Sequence, residues 1–235
     1  MQTIVSVFYY TRGLLAFLLA GVLIIPLLPF ERFRYPAASL FSRLVLWSLG
    51  GRLVKEGDFP DDRRYIIMAN HATFVDPLII VAVIKGRFTG IIAESQTHYP
   101  LWSSLVKLFK VIPIKRRDAA AARLAITTAE ERLAAGYHVV ILPEGTRTLT
   151  GKMGPLKKGG FHMAINSGAP LLPLGIEGGF AFKSKLSWML RPGTLRLRFV
   201  KPLEPEFYKD LSLEEVMDEM RQRLLSLSGE QVEQT

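Results

Sequence analysis

Seventeen consecutive residues, Leu14 to Phe30, carry no charge, and this run limits the chain more than any other feature. A segment of that length lies at the short limit for crossing a bilayer, and Pro26 would kink a helix near its end. It resembles the apolar core of a signal peptide, yet Glu31-Arg32-Phe33-Arg34 follows where a small-residue cleavage site belongs. A second stretch, Ala37 to Leu53, mixes Leu40, Phe41, Leu44, Val45, Leu46, Trp47 and Leu49 with Arg43 and Arg52. Arg12, Arg32, Arg34, Arg43, Arg52 and Lys55 flank or punctuate both segments, against Glu31 as the single acid up to that lysine. Apolar residues with basic flanks predict a helical hairpin lying in, or dipping into, an anionic leaflet. The other reading is a pair of helices buried in a core.

The charge balance bears on the partner. A formal charge of +9 calls for an anion: nucleic acid, or a membrane surface with acidic substrates. Hydrophobic residues make up 49% of the chain, and so apolar an N-terminus serves a membrane protein and not a nucleic-acid binder. No nucleic-acid recognition motif is present, so no nucleic acid is expected as partner. Cysteine is absent, which removes disulfides, a thiol nucleophile and a thiolate metal site. Four histidines are scattered and the carboxylates lack ligand spacing, so no metal is expected.

After Gly57 the character changes to alternating strand and helix signals within a chain of 235 residues, enough for one large domain. Strands are predicted over Tyr65–Ala69, Phe88–Ala93, Val111–Ile114, Tyr137–Leu142, Pro170–Ile176 and Leu195–Val200. Tyr137–Leu142 (YHVVIL) reads as an apolar strand of the kind covered on both faces in a parallel sheet. Helices are predicted over Leu78–Ile84, Asp118–Ala135, Phe161–Asn166 and Leu213–Leu227. Asp118 is the expected N-cap of the second and Gly136 its stop. Ser212 with Glu215 forms a capping box for the last, whose apolar stripe runs through Val216, Met220 and Leu224. The expectation is an α/β fold, a mostly parallel central sheet flanked by helices, with an N-terminal two-helix membrane-binding module. The module takes residues 1–55 and the α/β domain residues 56–235.

Two motifs hold the chemistry. His71 and Asp76 lie in Asn70-His71-Ala72-Thr73-Phe74-Val75-Asp76-Pro77, after a strand. On a continuous helix that spacing sets them roughly 140° apart, so they meet only where a loop enters a helix. There the carboxylate would hold one imidazole nitrogen while the other takes a proton from an alcohol. The alternative is Asp76 as an N-cap before Pro77, with His71 a loop residue. Leu142-Pro143-Glu144-Gly145-Thr146-Arg147-Thr148 follows an apolar strand and suits an anion site, Arg147 gripping phosphate with two parallel hydrogen bonds. An ordinary turn with a solvated arginine is the alternative. A Walker A loop fails on spacing, with one residue too many from Gly145 to Gly151-Lys152, and Met153 stands where Ser or Thr is needed. Lys115-Arg116-Arg117 and Lys157-Lys158 are solvated clusters individually, or further phosphate contacts if their strands are neighbours.

These elements resemble the motifs of the glycerolipid acyltransferase family. Asn70 to Asp76 looks like its first motif, Pro113-Ile114-Lys115-Arg116 its second, Leu142 to Thr148 its third and Leu172-Pro173-Leu174 its short fourth, over roughly residues 55 to 205. The resemblance implies that His71 is the general base and Asp76 its orienting partner, with Asn70 in support. It implies that Arg116, Glu144, Gly145, Thr146 and Arg147 bind a glycerol phosphate, with Lys157 or Lys158 as auxiliary contacts and Pro173 on the acyl-donor side. Transfer from acyl-CoA or acyl carrier protein to lysophosphatidic acid then runs without an acyl-enzyme, which agrees with the missing cysteine and missing GxSxG elbow. The donor is a co-substrate, so no cofactor is implied, and cytosolic donors imply a cytoplasm-facing site on the inner membrane. Other readings are a lyso-ornithine lipid or lysophospholipid acceptor, and a non-catalytic protein binding anionic lipid. The chain departs from the family at Lys110, where glycine usually opens the second motif, and at Ala93-Glu94-Ser95-Gln96, where a lysine-rich segment is common. A cation near the reacting centre would then come from Lys107 or Lys110.

Overall fold

The computed structural model describes residues 1–60, 62–98, 102–115 and 118–230. In chain order its elements are α1 (Gln2–Ile24), α2 (Glu31–Ser48), β1 (Gly51–Glu56), β2 (Ile66–Ala69), α3 (Asp76–Val81), β3 (Phe88–Ala93), α4 (Trp102–Leu108), β4 (Ile112–Ile114), α5 (Ala119–Ala134) and β5 (His138–Ile141). There follow α6 (Gly159–Ser167), β6 (Leu171–Glu177), α7 (Gly179–Phe182), β7 (Gly193–Phe199), α8 (Pro205–Tyr208) and α9 (Leu213–Ser228). The strands form one sheet in the order β1-β7-β6-β2-β5-β3-β4. Every neighbouring pair is parallel except β6 with β7.

The sheet is covered on both faces, and β2 shows how. Successive side chains of a strand point to opposite faces. Ile67 and Ala69 join Val45, Leu46, Ile79 and Ile80 on the side of α2 and α3. Ile66 and Met68 join Ala129, Phe161, Val216 and Met220 on the side of α5, α6 and α9. Each fully buried large aliphatic or aromatic side chain contributes roughly 1.5–3 kcal/mol. Helix α5 begins where Asp118 accepts the N–H groups of Ala120 and Ala121 at 3.1 and 3.0 Å, which holds its carboxyl below the ordinary 3.8. In α9, Ser212 and Glu215 form the reciprocal capping box.

The N-terminal segment differs from expectation in length and in the fate of its arginines. With the 3₁₀ turn at Ile25–Leu27, the helix runs over Gln2–Leu27, 26 residues. That exceeds the ~20 residues a bilayer core requires. Arg12 interrupts the uncharged run in the sequence but not the helix. Its guanidinium donates to the carbonyls of Ser48 (2.6 Å) and Trp47 and lies over the Tyr9 and Trp47 rings, so it caps the C-terminal end of α2. Arg34 reaches Leu28 O at 2.8 Å and Leu108 O at 3.2 Å, and Arg43 reaches Ala82 O at 2.9 Å. Three of the basic flanks therefore join the chain to itself. A buried pair of core helices is not what forms, because only Ser6, Gly13, Ala20, Gly21 and Ile24 of α1 are buried while Leu14, Leu18, Leu19, Val22 and Leu23 stand in the open. Gly51–Glu56, which begins inside the second amphipathic stretch and runs past its end at Leu53, is an edge strand paired with β7.

Candidate active site

The site lies at the carboxyl ends of the parallel strands β2 and β5, where an α/β sheet offers its crevice. Beyond the end of β2, the buried Asn70 amide continues the pairing that the backbone ladder has left. Its Nδ2 donates to Ile176 O (2.9 Å) and its Oδ1 accepts from Ile176 N (2.7 Å), which fixes the exit of β2 against β6.

His71 comes next, before any helical turn. The chain loops through Ala72 to Val75 and enters α3 at Asp76, whose carboxylate turns back over the loop. Asp76 Oδ2 stands 2.8 Å from His71 Nδ1 and accepts the N–H groups of Ala72 at 2.7 Å and Thr73 at 2.9 Å. Asp76 therefore does not cap its own helix; Val75 occupies the N-cap and Asp76 is already helical. A carboxylate only accepts, so Nδ1 is the donor, and in the neutral imidazole that leaves the lone pair on Nε2. The imidazole is 18% exposed and the carboxylate fully enclosed, which leaves the histidine reachable and its partner dry. Burial pushes the Asp76 carboxyl above its ordinary 3.8, while His71 and the two backbone donors pull the other way.

The turn after β5 brings Leu142–Thr148 to the histidine motif. Glu144 is buried and accepts His71 N–H at 2.7 Å through Oε1 and Gly154 N–H at 2.8 Å through Oε2. Burial raises its carboxyl above the ordinary 4.5, against those two donors. An anion with both oxygens engaged offers a phosphate no donor, so the geometry makes Glu144 a positioning residue for the histidine loop. Gly145 adopts φ +69°, a left-handed conformation open to glycine at no steric cost, and its N–H closes the turn on Leu142 O at 2.9 Å. The turn delivers the half-buried Arg147 and the exposed Thr146, and Thr148 N–H returns to His71 O at 2.9 Å. Lys157 lies alongside, its Cγ 3.7 Å from where a Cβ on Gly145 would stand.

The remaining residues divide. Lys158 pairs with Glu214 of α9 at 2.7 Å. Pro173 is buried within β6, opposite Met68 in the ladder with β2. Arg116 lies outside the described residues. Lys110 sits over the Tyr137 ring at 5.0 Å, just before β5 begins and so at the opposite end of the strands from His71; it cannot serve the reacting centre. Sequence reasoning missed Lys183 and Lys185. Lys185 Nζ donates to Thr146 Oγ1 at 3.3 Å, and Lys183 Nζ lies 5.8 Å from the Phe74 ring within the histidine loop. Partial burial and the nearby Arg147 hold the Lys183 ammonium below its ordinary 10.5. No local motif announces these lysines; they follow Gly178-Gly179 in a loop, and only the fold brings them here.

A family model described as acyltransferase matches residues 52–177, a span that includes both motifs. The chain belongs to the acyltransferase family. Similar curated proteins include the 1-acyl-sn-glycerol-3-phosphate acyltransferase of Cocos nucifera, 28% identical over 195 residues, covering 81% of this chain. The chain spans 63% of that relative's length. A protein of the same name from Borreliella burgdorferi is 30% identical over 134 residues, 56% of this chain and 54% of that one. Among solved structures, the 1-acyl-sn-glycerophosphate acyltransferase of Thermotoga maritima superposes with a TM-score of 0.81 at 22% identity, covering 95% of both chains. That likeness shows the fold: an α/β acyltransferase domain behind an N-terminal apolar helix.

Proposed function

We propose that this acyltransferase moves a fatty acyl group from acyl-CoA or acyl carrier protein to the sn-2 hydroxyl of lysophosphatidic acid, giving phosphatidic acid. The observation that carries the reading is the enclosed Asp76 carboxylate 2.8 Å from His71 Nδ1, beside the turn that bears Arg147. The names of the curated relatives support the acceptor.

The chemistry follows from the donors and acceptors. His71 Nε2 takes the proton of the acceptor hydroxyl as its oxygen attacks the thioester carbon, and the imidazolium formed faces the Asp76 carboxylate. The tetrahedral oxyanion collapses, the carbon–sulfur bond breaks, and the departing thiolate recovers the proton from Nε2. Arg147, Thr146 and Lys157 take the acceptor phosphate, with Arg116 joining from its own motif, while Glu144 and Gly145 set the loops. Asn70 holds the strand exit from which His71 projects. The open apolar side of α1 rests in the membrane, and the site faces the cytoplasm, where the donors are.

The test is thiol release from each donor by the purified full chain, with lysophosphatidic acid and, in parallel, with phosphate-free lysolipids such as a lyso-ornithine lipid. Release that requires lysophosphatidic acid supports the reading. Release with a phosphate-free acceptor alone replaces the acceptor and keeps the chemistry. No release under any pairing overturns it in favour of a lipid-binding protein.

A further inference from the structure

Resting on that function, we propose that the loop from Lys183 to Pro192, joining α7 to β7, is the ledge over which the acceptor lipid passes from the bilayer to His71. Leu186 and Trp188 dip into the membrane interface, and Lys183 and Lys185 receive the anionic headgroup on its way to Arg147.

The loop leaves a helix that lies directly on the catalytic turn. A Cβ on Gly179 would stand 3.2 Å from Thr73 Cγ2, 3.4 Å from Asp76 Oδ1 and 3.6 Å from Ala72 Cβ, so α7 packs against the turn with at most a few tenths of an ångström to spare. Lys183 follows one residue after α7 ends, near Phe74, and Lys185 reaches Thr146 at 3.3 Å. Among the described residues no carboxylate pairs with Arg147, Lys183 or Lys185. Cations drawn together without a counter-ion repel one another until an anion arrives. Both lysines lie beyond residues 52–177, the span shared with the family.

The other end of the loop is apolar and tied to the N-terminal helix. Leu186 is 77% exposed and Trp188 52%. Tyr10 Oη donates to Trp188 O at 2.8 Å, Ser6 Oγ accepts Leu190 N–H at 3.0 Å, and Gln2 Nε2 donates to Leu190 O at 3.1 Å. The loop is thus fastened to the half of α1 that exposes Ile4, Val7 and Phe8. An isolated exposed tryptophan needs no explanation. One fastened to an apolar helix, and three residues from a lysine that touches the site, has the amphipathic order of an interfacial element, ring toward lipid and cation toward headgroup.

The experiment uses the full chain with two loop variants, and acceptor supplied either in vesicles or as a short-chain lysophosphatidic acid below its micelle concentration. Lys183→Gln/Lys185→Gln is expected to raise the acceptor KM about tenfold in both forms, with kcat and the donor KM within about twofold. Leu186→Ser/Trp188→Ser is expected to raise KM about tenfold for vesicle-borne acceptor alone, since a dissolved acceptor bypasses the ledge. In a Trp47→Phe/Trp102→Phe background, Trp188 emission should shift to the blue on anionic vesicles and be quenched by brominated acyl chains. Unchanged acceptor KM in the lysine variant, or unshifted Trp188 emission on vesicles that bind the protein, overturns the inference. Failure of the functional reading shows differently, as a wild type that turns over no lysophosphatidic acid at all.

Discussion

Asp76 Oδ2 stands 2.8 Å from His71 Nδ1 and at the same time accepts two N–H groups of the loop between them. One carboxylate therefore shapes the turn and orients the base. In Asp76→Asn an amide oxygen keeps the backbone bonds but removes the negative charge that faces the imidazolium. The expected outcome is a fall in kcat/KM of about 10²–10⁴ with an unchanged far-ultraviolet circular dichroism spectrum. Activity within a few-fold of wild type would detach Asp76 from catalysis.

The same substitution has a signature in stability against pH. Burial raises the Asp76 carboxyl in the folded state above its ordinary 3.8. Between the ordinary value and the raised one, the folded chain holds a proton that the unfolded chain has lost, so stability falls as pH rises through that window. Asparagine does not titrate. Its thermal midpoint, measured relative to wild type, is expected to improve as pH rises above the ordinary carboxyl value and through the raised folded-state one. A difference independent of pH would contradict the upward shift.

Glu144 joins two backbone segments, through His71 N–H and Gly154 N–H. A glutamine offers one acceptor oxygen in place of two, so one buried N–H faces an amide N–H. Loss of about 1–3 kcal/mol is expected by chemical denaturation, together with a lowered kcat because the His71 backbone shifts. A drop in acceptor affinity with kcat preserved would instead favour a direct part in phosphate binding.

Much of this was legible in the sequence, and the reason is locality. Asp118 and Ser212 cap helices two or three residues away, so α5 and α9 stand close to where their caps predict. The strand at β5 declares itself through an apolar run broken only by His138, and His71 and Asp76 were recognisable because the loop that unites them is four residues long. What escaped depends on distant partners. Gly51–Glu56 looks amphipathic in isolation and becomes a strand because β7, from Gly193 onward, lies against it. Arg12 sets a charge inside the apolar N-terminal segment, yet Ser48 and Trp47 offer it carbonyls. Lys158 reads like Lys157 until Glu214 claims it. Lys183 and Lys185 reach the site only through the fold of β6 and α7.

Close approach also limits the far side of the sheet. A Cβ on Gly175 would overlap the Leu227 side chain and come within 2.5 Å of its carbonyl carbon, so α9 would have to move off β6. Gly90, whose nearest such neighbour is Val140 O at 3.6 Å, has room. Gly175→Ala is expected to cost about 1–3 kcal/mol or more, and Gly90→Ala far less, by thermal unfolding of the two variants. Equal losses would mean that α9 yields without cost.

The central claim, general-base transfer by His71, is tested most directly by acceptor-dependent thiol release from wild type and His71→Ala, each shown to be folded by circular dichroism. The account predicts release with lysophosphatidic acid in the wild type and a loss of at least about 10²-fold in the variant, with acyl-donor binding retained. Release by His71→Ala at the wild-type rate would contradict it, whatever the geometry around Asp76.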